Sequence, residues 1–417
     1  MRRVTTNKGK RTPGVDGVVW STPKAKQEAI AAMQRGRYQP LPLRRVYVPK
    51  ANGKKRPLGI PCMKDRAKQA VQRQALDPVA ECLADPNSYG FRRERSAADA
   101  IQQCFTALAQ RNAAPWVLEG DITACYDRIN HEWLAEHVPM DKGILRKWLK
   151  SGYVERKTFH ATDEGTPQGG IISPVLCNLT LDGLERLLKE RFKRRKVNFV
   201  RYADDFIVTG DTEELLRDEV KPVIETFLAD RGLELSKEKT RIVRIEEGFD
   251  FLGQQVRKYN GKLIIKPAKK AVKSVLAKTG GILKRNVSSK AADVIRQLNP
   301  VIRGWANYHR HVCSKDTFSH VDWQIWRQVG RWARRRHPNR SWKWIKARYY
   351  PPHAGRQGVF TGVVKGGREI RLVAAAATPI QRHVKVQGTA NPYDPPYATY
   401  FAKRRAKGRS YADQGGI

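Results

Sequence analysis

Acidic residues are scarce in this chain. Of 417 residues, 40 are Asp or Glu against 80 Lys or Arg, which leaves a formal net charge of +40. A surface so strongly of one sign repels itself unless a polyanion shares it, so nucleic acid is the expected partner. Long apolar runs are missing as well, and none approaches the ~20 residues of a membrane-spanning helix. The basic residues are spread along the whole chain rather than gathered in one place, so no membrane partner is expected. Behind Met1-Arg2-Arg3-Val4 there is no apolar stretch of the secretory kind. The expected compartment is therefore cytoplasmic, the bacterial cytosol or nucleoid. Cysteine is sparse too. Cys62, Cys82, Cys104, Cys125, Cys177 and Cys313 form no Cys-x-x-Cys pair, which argues against a zinc ribbon and a disulfide framework and leaves them as small, buried hydrophobes. No internal repeat is visible.

What is present suffices for a folded protein: hydrophobic residues make up 40% of the chain, and the length has room for two or three domains. The first 25 residues are polar, and Pro13-Gly14-Val15-Asp16-Gly17 reads as a loop. Two strand-like runs between Val46 and Ile60 flank Asn52-Gly53, a strong hairpin signal, and that hairpin carries Lys50, Lys54, Lys55 and Arg56. Helical spacing follows over 64–83 and 96–110, then a buried strand over 116–121 that turns into a helix over 122–130. Two apolar strands over 197–209 surround Tyr202-Ala203-Asp204-Asp205, and a polar helix is expected over 212–230. Composition shifts near residue 258 to Lys/Arg-rich helical segments with many Trp. It shifts again after Tyr350-Pro351-Pro352, to short strand-like runs and a basic end. The expected domains are 1–257, 258–350 and 351–417.

Three acids stand out because their surroundings are apolar: Asp121 at the end of one strand, and Asp204 with Asp205 in a turn between two others. Brought together, they would repel one another without a cation. Carboxylates on rigid strands are what Mg²⁺ takes when it serves phosphoryl transfer, where charge grows on the attacking and leaving oxygens. An Asp-Asp pair standing alone is more often a solvated turn. Adjacent strand residues point to opposite faces, so the pair need not serve a metal equally, and Asp204 is the preferred shared ligand. Asp127 and Asp182 fall on helices, where structural roles are expected.

In order along the chain, Asp121-Ile122-Thr123-Ala124-Cys125-Tyr126-Asp127, Thr166-Pro167-Gln168-Gly169-Gly170-Ile171-Ile172-Ser173-Pro174 and Tyr202-Ala203-Asp204-Asp205 resemble the catalytic blocks of group II intron-encoded reverse transcriptases. Flanking stretches extend the resemblance over nearly the whole chain, including Gly14 to Gly17, Lys54 to Pro61, Ser88 to Arg92, Gly232 to Thr240, Phe249 to Gly253 and Arg303 to His309. It implies an α+β right-hand polymerase, with fingers and an antiparallel palm sheet followed by a helical thumb called domain X. Asp121, Asp204 and Asp205 would bind Mg²⁺. Lys54 and Arg56 would hold the incoming triphosphate, and Gln168 would lie against the nucleotide between glycines that let the backbone approach. Tyr126 would sit under the sugar and exclude a 2′-hydroxyl; its bland reading is a core tyrosine. Lys239 would protonate the departing pyrophosphate, with Lys237 as its nearby rival.

The implied function is RNA-directed DNA synthesis on intron RNA, with dNTP substrates and a DNA target and primer strand, joined to maturase activity on group II intron RNA. Arg303, Arg334, Arg335 and Arg336 would contact that RNA. The tryptophans among these cations could stack on unpaired bases, but pairs at i and i+3, such as Trp305 with Tyr308 or Trp323 with Trp326, are expected to pack a helix against its neighbour. Residues 379–396 resemble the segment that precedes an H-N-H endonuclease in longer relatives. No paired cysteines or His-Asn-His cluster follow it, so strand cleavage is not expected, and the start looks short for the family, which would weaken template binding. Two other readings stay open: a splicing cofactor with a vestigial polymerase site, and a reverse transcriptase recruited to a host or phage-defence role.

Overall fold

The strands flanking Asn52-Gly53 pair as a hairpin: β1 (Leu43–Pro49) and β2 (Lys55–Ile60) run antiparallel with Val46 opposite Leu58. β1 also takes β4 (Tyr153–Glu155) as a parallel neighbour, and β4 pairs with β5 (Thr158–His160), giving the order β2-β1-β4-β5. The computed structural model describes residues 2–7, 9–34, 38–49, 53, 55–166, 169–352, 358–364 and 366–412. Lys54 and Gln168 lie outside these described residues.

A second four-stranded sheet has the order β6-β7-β3-β8, from β6 (Phe199–Tyr202), β7 (Asp205–Gly210), β3 (Trp116–Asp121) and β8 (Arg241–Arg244). All its pairings are antiparallel. Val117, Leu118, Ile207 and Val208 are wholly buried, so its central strands read as near-continuous apolar runs. Leu118, Phe206 and Val208 share a core with Leu176 of helix Ser173–Leu181 and with Leu216, Ile224 and Leu228. Those last three belong to the helix expected over 212–230, which is amphipathic rather than polar. It opens as a π-helical turn, Leu215–Val220, and continues as an α-helix, Lys221–Ala229. Pro222, near the junction, has no N–H for an i→i−4 bond and crowds the preceding turn, which accounts for the wider winding there.

The chain divides into two compact units: Met1–Gln103, Asn112–Arg244 and Val386–Ala398 form unit 1, and Cys104–Arg111, Ile245–Lys385 and Thr399–Ile417 form unit 2. The compositional shift near 258 falls inside β10 of a meander, β9 (Phe249–Phe251), β10 (Gln254–Tyr259) and β11 (Lys262–Pro267). These three strands hydrogen-bond to one another in one sheet and therefore stay together. Segment 386–398 belongs to unit 1 because the Val386 N–H donates to Asp99 at 2.8 Å and Arg95 donates to the carbonyls of Gly388 and Ala390.

In unit 2, helices Lys269–Arg285, Ala291–His309, Lys315–Arg336 and Trp342–Tyr349 enclose a core of Val294, Leu298, Ile302, Phe318, Ile325, Val329 and Trp332. A small hairpin, β12 (Thr361–Val363) with β13 (Glu369–Arg371), completes it. Among the described residues no helix is long and apolar enough to cross a membrane. Four cysteines are buried as expected, but Cys82 and Cys313 are exposed; Cys82 lies at the solvent side of helix Met63–Leu83 and Cys313 in the turn before helix Lys315–Arg336.

Candidate active site

β3 and β7 end together, and their register sets Asp121 directly opposite Asp205. One residue back, Gly120 faces Phe206, and a Cβ there would come within 2.2 Å of the ring. Glycine is therefore what lets β3 reach the site at this register. Tyr202 pairs with Asp205 across the β6–β7 turn, so Ala203 and Asp204 are its two central residues. Ala203 has φ of 58°, a left-handed conformation that costs a side-chain-bearing residue about 1–2 kcal/mol and needs support.

That support comes from a buried charge. Arg201 has no exposed surface; its Nη1 donates to the Ala203 carbonyl at 3.2 Å and to Asn178 Oδ1 at 3.3 Å, and its Nη2 pairs with Asp182. The stretch Asn87 to Gly90 lies along the same turn: the Tyr89 N–H donates to the Arg201 carbonyl, the Arg201 N–H donates to the Asn87 carbonyl, and Asn178 Nδ2 donates to the Gly90 carbonyl at 2.9 Å. A Cβ on Gly90 would meet the Ala203 nitrogen at 2.3 Å, so a glycine is required for that approach. Asp182 was expected on a helix but is the extended residue that caps helix Ser173–Leu181, and it pairs with Arg201. Arg201 was missed in the sequence, although a lone arginine in the apolar run before Tyr202 was a visible signal.

The acids strain against one another. Asp205 stays open to solvent on one side, yet crowding by the chain around its carboxyl, then the charges of Asp204 and Asp121, push it up to about 7. Burial raises Asp204 too, with Asp121 adding to the effect and the cations Arg56 and Lys239 opposing it. Arg56 of the fingers hairpin is thus within electrostatic range of the acids. Lys239 Nζ lies 2.5 Å from Asp121 Oδ2, an ion pair spanning 118 positions of sequence, and that hydrogen bond raises the ammonium's pKa. Of the two candidate lysines, Lys239 is the one that reaches the carboxylates.

Tyr126 packs against the unit 1 core, and its carbonyl accepts from the Thr166 N–H at 2.5 Å. Burial raises its hydroxyl's pKa, with Cys177 and Asp204 contributing, so the ring sits between the core and the acids. Beneath it, Cys125 and Cys177 have their sulfurs 3.6 Å apart. Gly169 brings the Thr166 to Pro174 loop against β2, where a Cβ would be 2.7 Å from the Gly59 carbonyl oxygen. The described part of this loop therefore lies beside the strand that carries Arg56.

Among the described residues no group of three or more His, Cys, Asp or Glu is gathered tightly enough to hold a metal ion. The donor set nonetheless suits a hard divalent cation. Three carboxylates approach from a rigid strand end and a tight turn, and burial together with the charge of Asp121 raises both Asp204 and Asp205, a penalty that a bound cation would relieve.

In unit 2, Arg303, Arg334 and Arg335 are exposed. Arg336 is half-buried and donates Nη1 to the carbonyls of Val287 and Ser289 at 3.0 and 2.8 Å, so it ties down the loop before helix Ala291–His309. The tryptophans divide. Trp305 packs edge-on to Phe318, and Trp326 packs edge-on to Trp342 while staying partly exposed; Tyr308 and Trp323, expected to pack with them, are more exposed, although the Tyr308 hydroxyl donates to the Leu252 carbonyl.

Comparison with known proteins agrees with this architecture. Residues 48–256 match the model for reverse transcriptase (RNA-dependent DNA polymerase), 272–350 that for the group II intron maturase-specific domain, and 1–33 that for the N-terminal domain of reverse transcriptase. Protein YkfC of Escherichia coli strain K12 is 36% identical over 301 residues, covering 61% of this chain and 78% of that protein. The group II intron-encoded protein LtrA of Lactococcus lactis subsp. cremoris is 31% identical over 327 residues, covering 60% and 53% respectively. An uncharacterized 91 kDa protein in the cob intron of Schizosaccharomyces pombe is 26% identical over 377 residues, covering 70% and 46%. The chain thus spans about half the length of the last two. It belongs to the reverse transcriptase family, in the group II intron-encoded form that joins an RNA-directed DNA polymerase to a maturase domain.

Proposed function

We propose that this chain copies group II intron RNA into DNA, extending a primer strand at a DNA target with dNTPs, and that unit 2 grips the same intron RNA to assist its splicing. The observation that carries the reading is the convergence of Asp121, Asp204 and Asp205 on one sheet end, with Arg56 and Lys239 as the cations that act on them. The three aspartates would hold Mg²⁺, with Asp204 as the shared ligand. Bound there, the metal supplies Lewis-acid stabilisation of the charge that develops on the attacking and leaving oxygens.

The chain's own groups divide the remaining work. Arg56 binds the triphosphate, its fork matching two phosphate oxygens, and Lys54 and Gln168 join it on the triphosphate and against the nucleotide. Tyr126 lies under the sugar and excludes a 2′-hydroxyl by volume. Lys239 is held protonated by Asp121, as a general acid must be, and releases its proton to pyrophosphate once the carboxylate is drawn to a cation. In unit 2, Arg303, Arg334 and Arg335 are the exposed cations assigned to RNA; Arg336 serves the fold of the surface they sit on.

Primer extension on an RNA template with Mg²⁺ and dNTPs tests the reading. Wild type should extend, and Asp204→Ala should not. If neither extends the primer while both bind intron RNA tightly, the chain is a splicing cofactor with a dormant polymerase site.

A further inference from the structure

Helix Lys315–Arg336 separates a core side from a solvent side. Phe318, Val321, Ile325, Val329 and Trp332 recur at three- and four-residue spacing and are all buried in the unit 2 core. At 3.6 residues per turn, His320, Trp323, Arg327, Arg331 and Arg334 fall on the opposite side, within about a quarter of the circumference. All five are exposed. One does not fit a solvated basic face: Trp323 is 52% exposed, while Trp332 on the same helix is buried. The Arg327 guanidinium lies over the Trp323 ring at 4.7 Å from its centroid, and the His320 ring centroid is 6.3 Å away.

We infer that this stripe is a binding site for an unpaired stretch of RNA, with a base stacked on Trp323 and the backbone following Arg327, Arg331 and Arg334. The inference rests on the reading of unit 2 as RNA-binding and goes further, because it names the form of RNA and the residue that selects it. Duplex RNA offers phosphates but keeps its base faces stacked inside, and cations alone would serve it. An exposed indole among cations matches what an unpaired base presents, a π-face beside a phosphate. The three arginines span about 10 Å of helix axis, the geometry of a track along a strand rather than a cup for one anion. Arg327 is placed to cap the far side of a stacked base or to move onto its phosphate, since arginine does both. The strong positive charge of the stripe favours this occupant over a second protein.

The test uses the full chain and two RNAs of equal length, one fully paired and one with an unpaired loop. Trp323→Ala should weaken binding of the looped RNA roughly ten-fold and leave the duplex unchanged. Trp323→Tyr, which keeps a ring, should restore most of the affinity. Thermal melting should match wild type in both variants, and a photoreactive uridine in the loop should crosslink to Trp323. Equal affinity of Trp323→Ala and wild type for the looped RNA would overturn the inference, as would an equal drop for both RNAs. A change of oligomeric state with RNA affinity intact would overturn it in favour of a protein interface. If wild type itself binds neither RNA, the RNA-binding reading of unit 2 fails, a result seen in the wild type and so distinct from failure of the stacking site.

Discussion

In unit 1 several arginines are hidden and committed. Arg201 has no exposed surface and directs its donors to Asp182, Asn178 and the Ala203 carbonyl, while Arg92 and Arg95 share the buried Glu81 at 2.6 and 3.2 Å. In unit 2 the cations of helix Lys315–Arg336 face water, with Arg327, Arg331, Arg334 and Arg335 all exposed. The same residue type therefore does two jobs. A buried cation fixes the geometry of a turn, because moving it would strand a charge in the interior. An exposed one, even where it lies over an indole as Arg327 and Arg334 do, keeps its charge open to a polyanion, where releasing counterions drives binding. Net charge alone cannot tell these jobs apart; burial can.

The largest effect expected is at the acids. Asp204→Ala should lower primer extension by a factor on the order of 10³ or more, since it removes a group that stabilises charge on the reacting oxygens by several kcal/mol, while leaving RNA affinity at the wild-type value. Arg201→Met comes next. It leaves Asp182 buried without its partner and should destabilise unit 1 by about 3–5 kcal/mol, read as a lower melting temperature or denaturant midpoint. Adding Asp182→Leu should recover part of that stability, and a double variant no more stable than the single one would show that the pair does not act as a unit.

The comparison sharpens with salt. RNA affinity of the wild type should fall by roughly 10³ between 50 and 200 mM salt. Replacing Arg327, Arg331 and Arg334 by Gln should make the log–log slope shallower by about 2, at about 0.7 for each phosphate of a single strand that is no longer neutralised. A destabilised but folded Arg201→Lys variant should leave that slope unchanged, because its charge is not offered to RNA.

The smallest effect is a pH dependence. The Asp205 carboxyl is raised to about 7 in the fold, so its contribution to stability is fully present below the unfolded carboxylate's pKa and is lost as pH rises through about 7. In metal-free buffer, Asp205→Asn should therefore gain melting temperature relative to wild type between pH 5.5 and 8.5. Added Mg²⁺ should shrink the difference by favouring the ionised carboxylate. A constant difference across that range would mean that the three acids do not repel one another.

Much of unit 1 was legible in the sequence because its signals are local. The Asn-Gly hairpin, the strand over Trp116–Asp121 and the turn bearing Asp204 each declare themselves within a dozen residues. What the sequence left hidden depends on distant partners. That Lys239 rather than Lys237 reaches Asp121 depends on a fold that closes a sequence separation of 118 positions. Arg201 reads as an anomaly in an apolar strand until Asp182 and the Ala203 carbonyl are seen beside it. In unit 2 periodicity placed aromatics on helices but not on faces. Trp323 and Trp326 are three residues apart, yet Trp326 packs with Trp342 and Tyr350 of other segments while Trp323 has, among the described residues, only His320 of its own helix as a ring neighbour. The compositional shift near 258 lies between the two stretches that match family models, 48–256 and 272–350, while the hydrogen-bonded sheet runs through it.

The most direct test of the account is a double dissociation, with primer extension at saturating primer–template and RNA affinity measured on the same two variants. Asp204→Ala should abolish extension and keep wild-type RNA affinity, whereas the triple replacement of Arg327, Arg331 and Arg334 by Gln should weaken RNA binding and keep extension. If either variant loses both activities while remaining folded, the division between a fixed catalytic charge in unit 1 and an exposed binding charge in unit 2 is wrong.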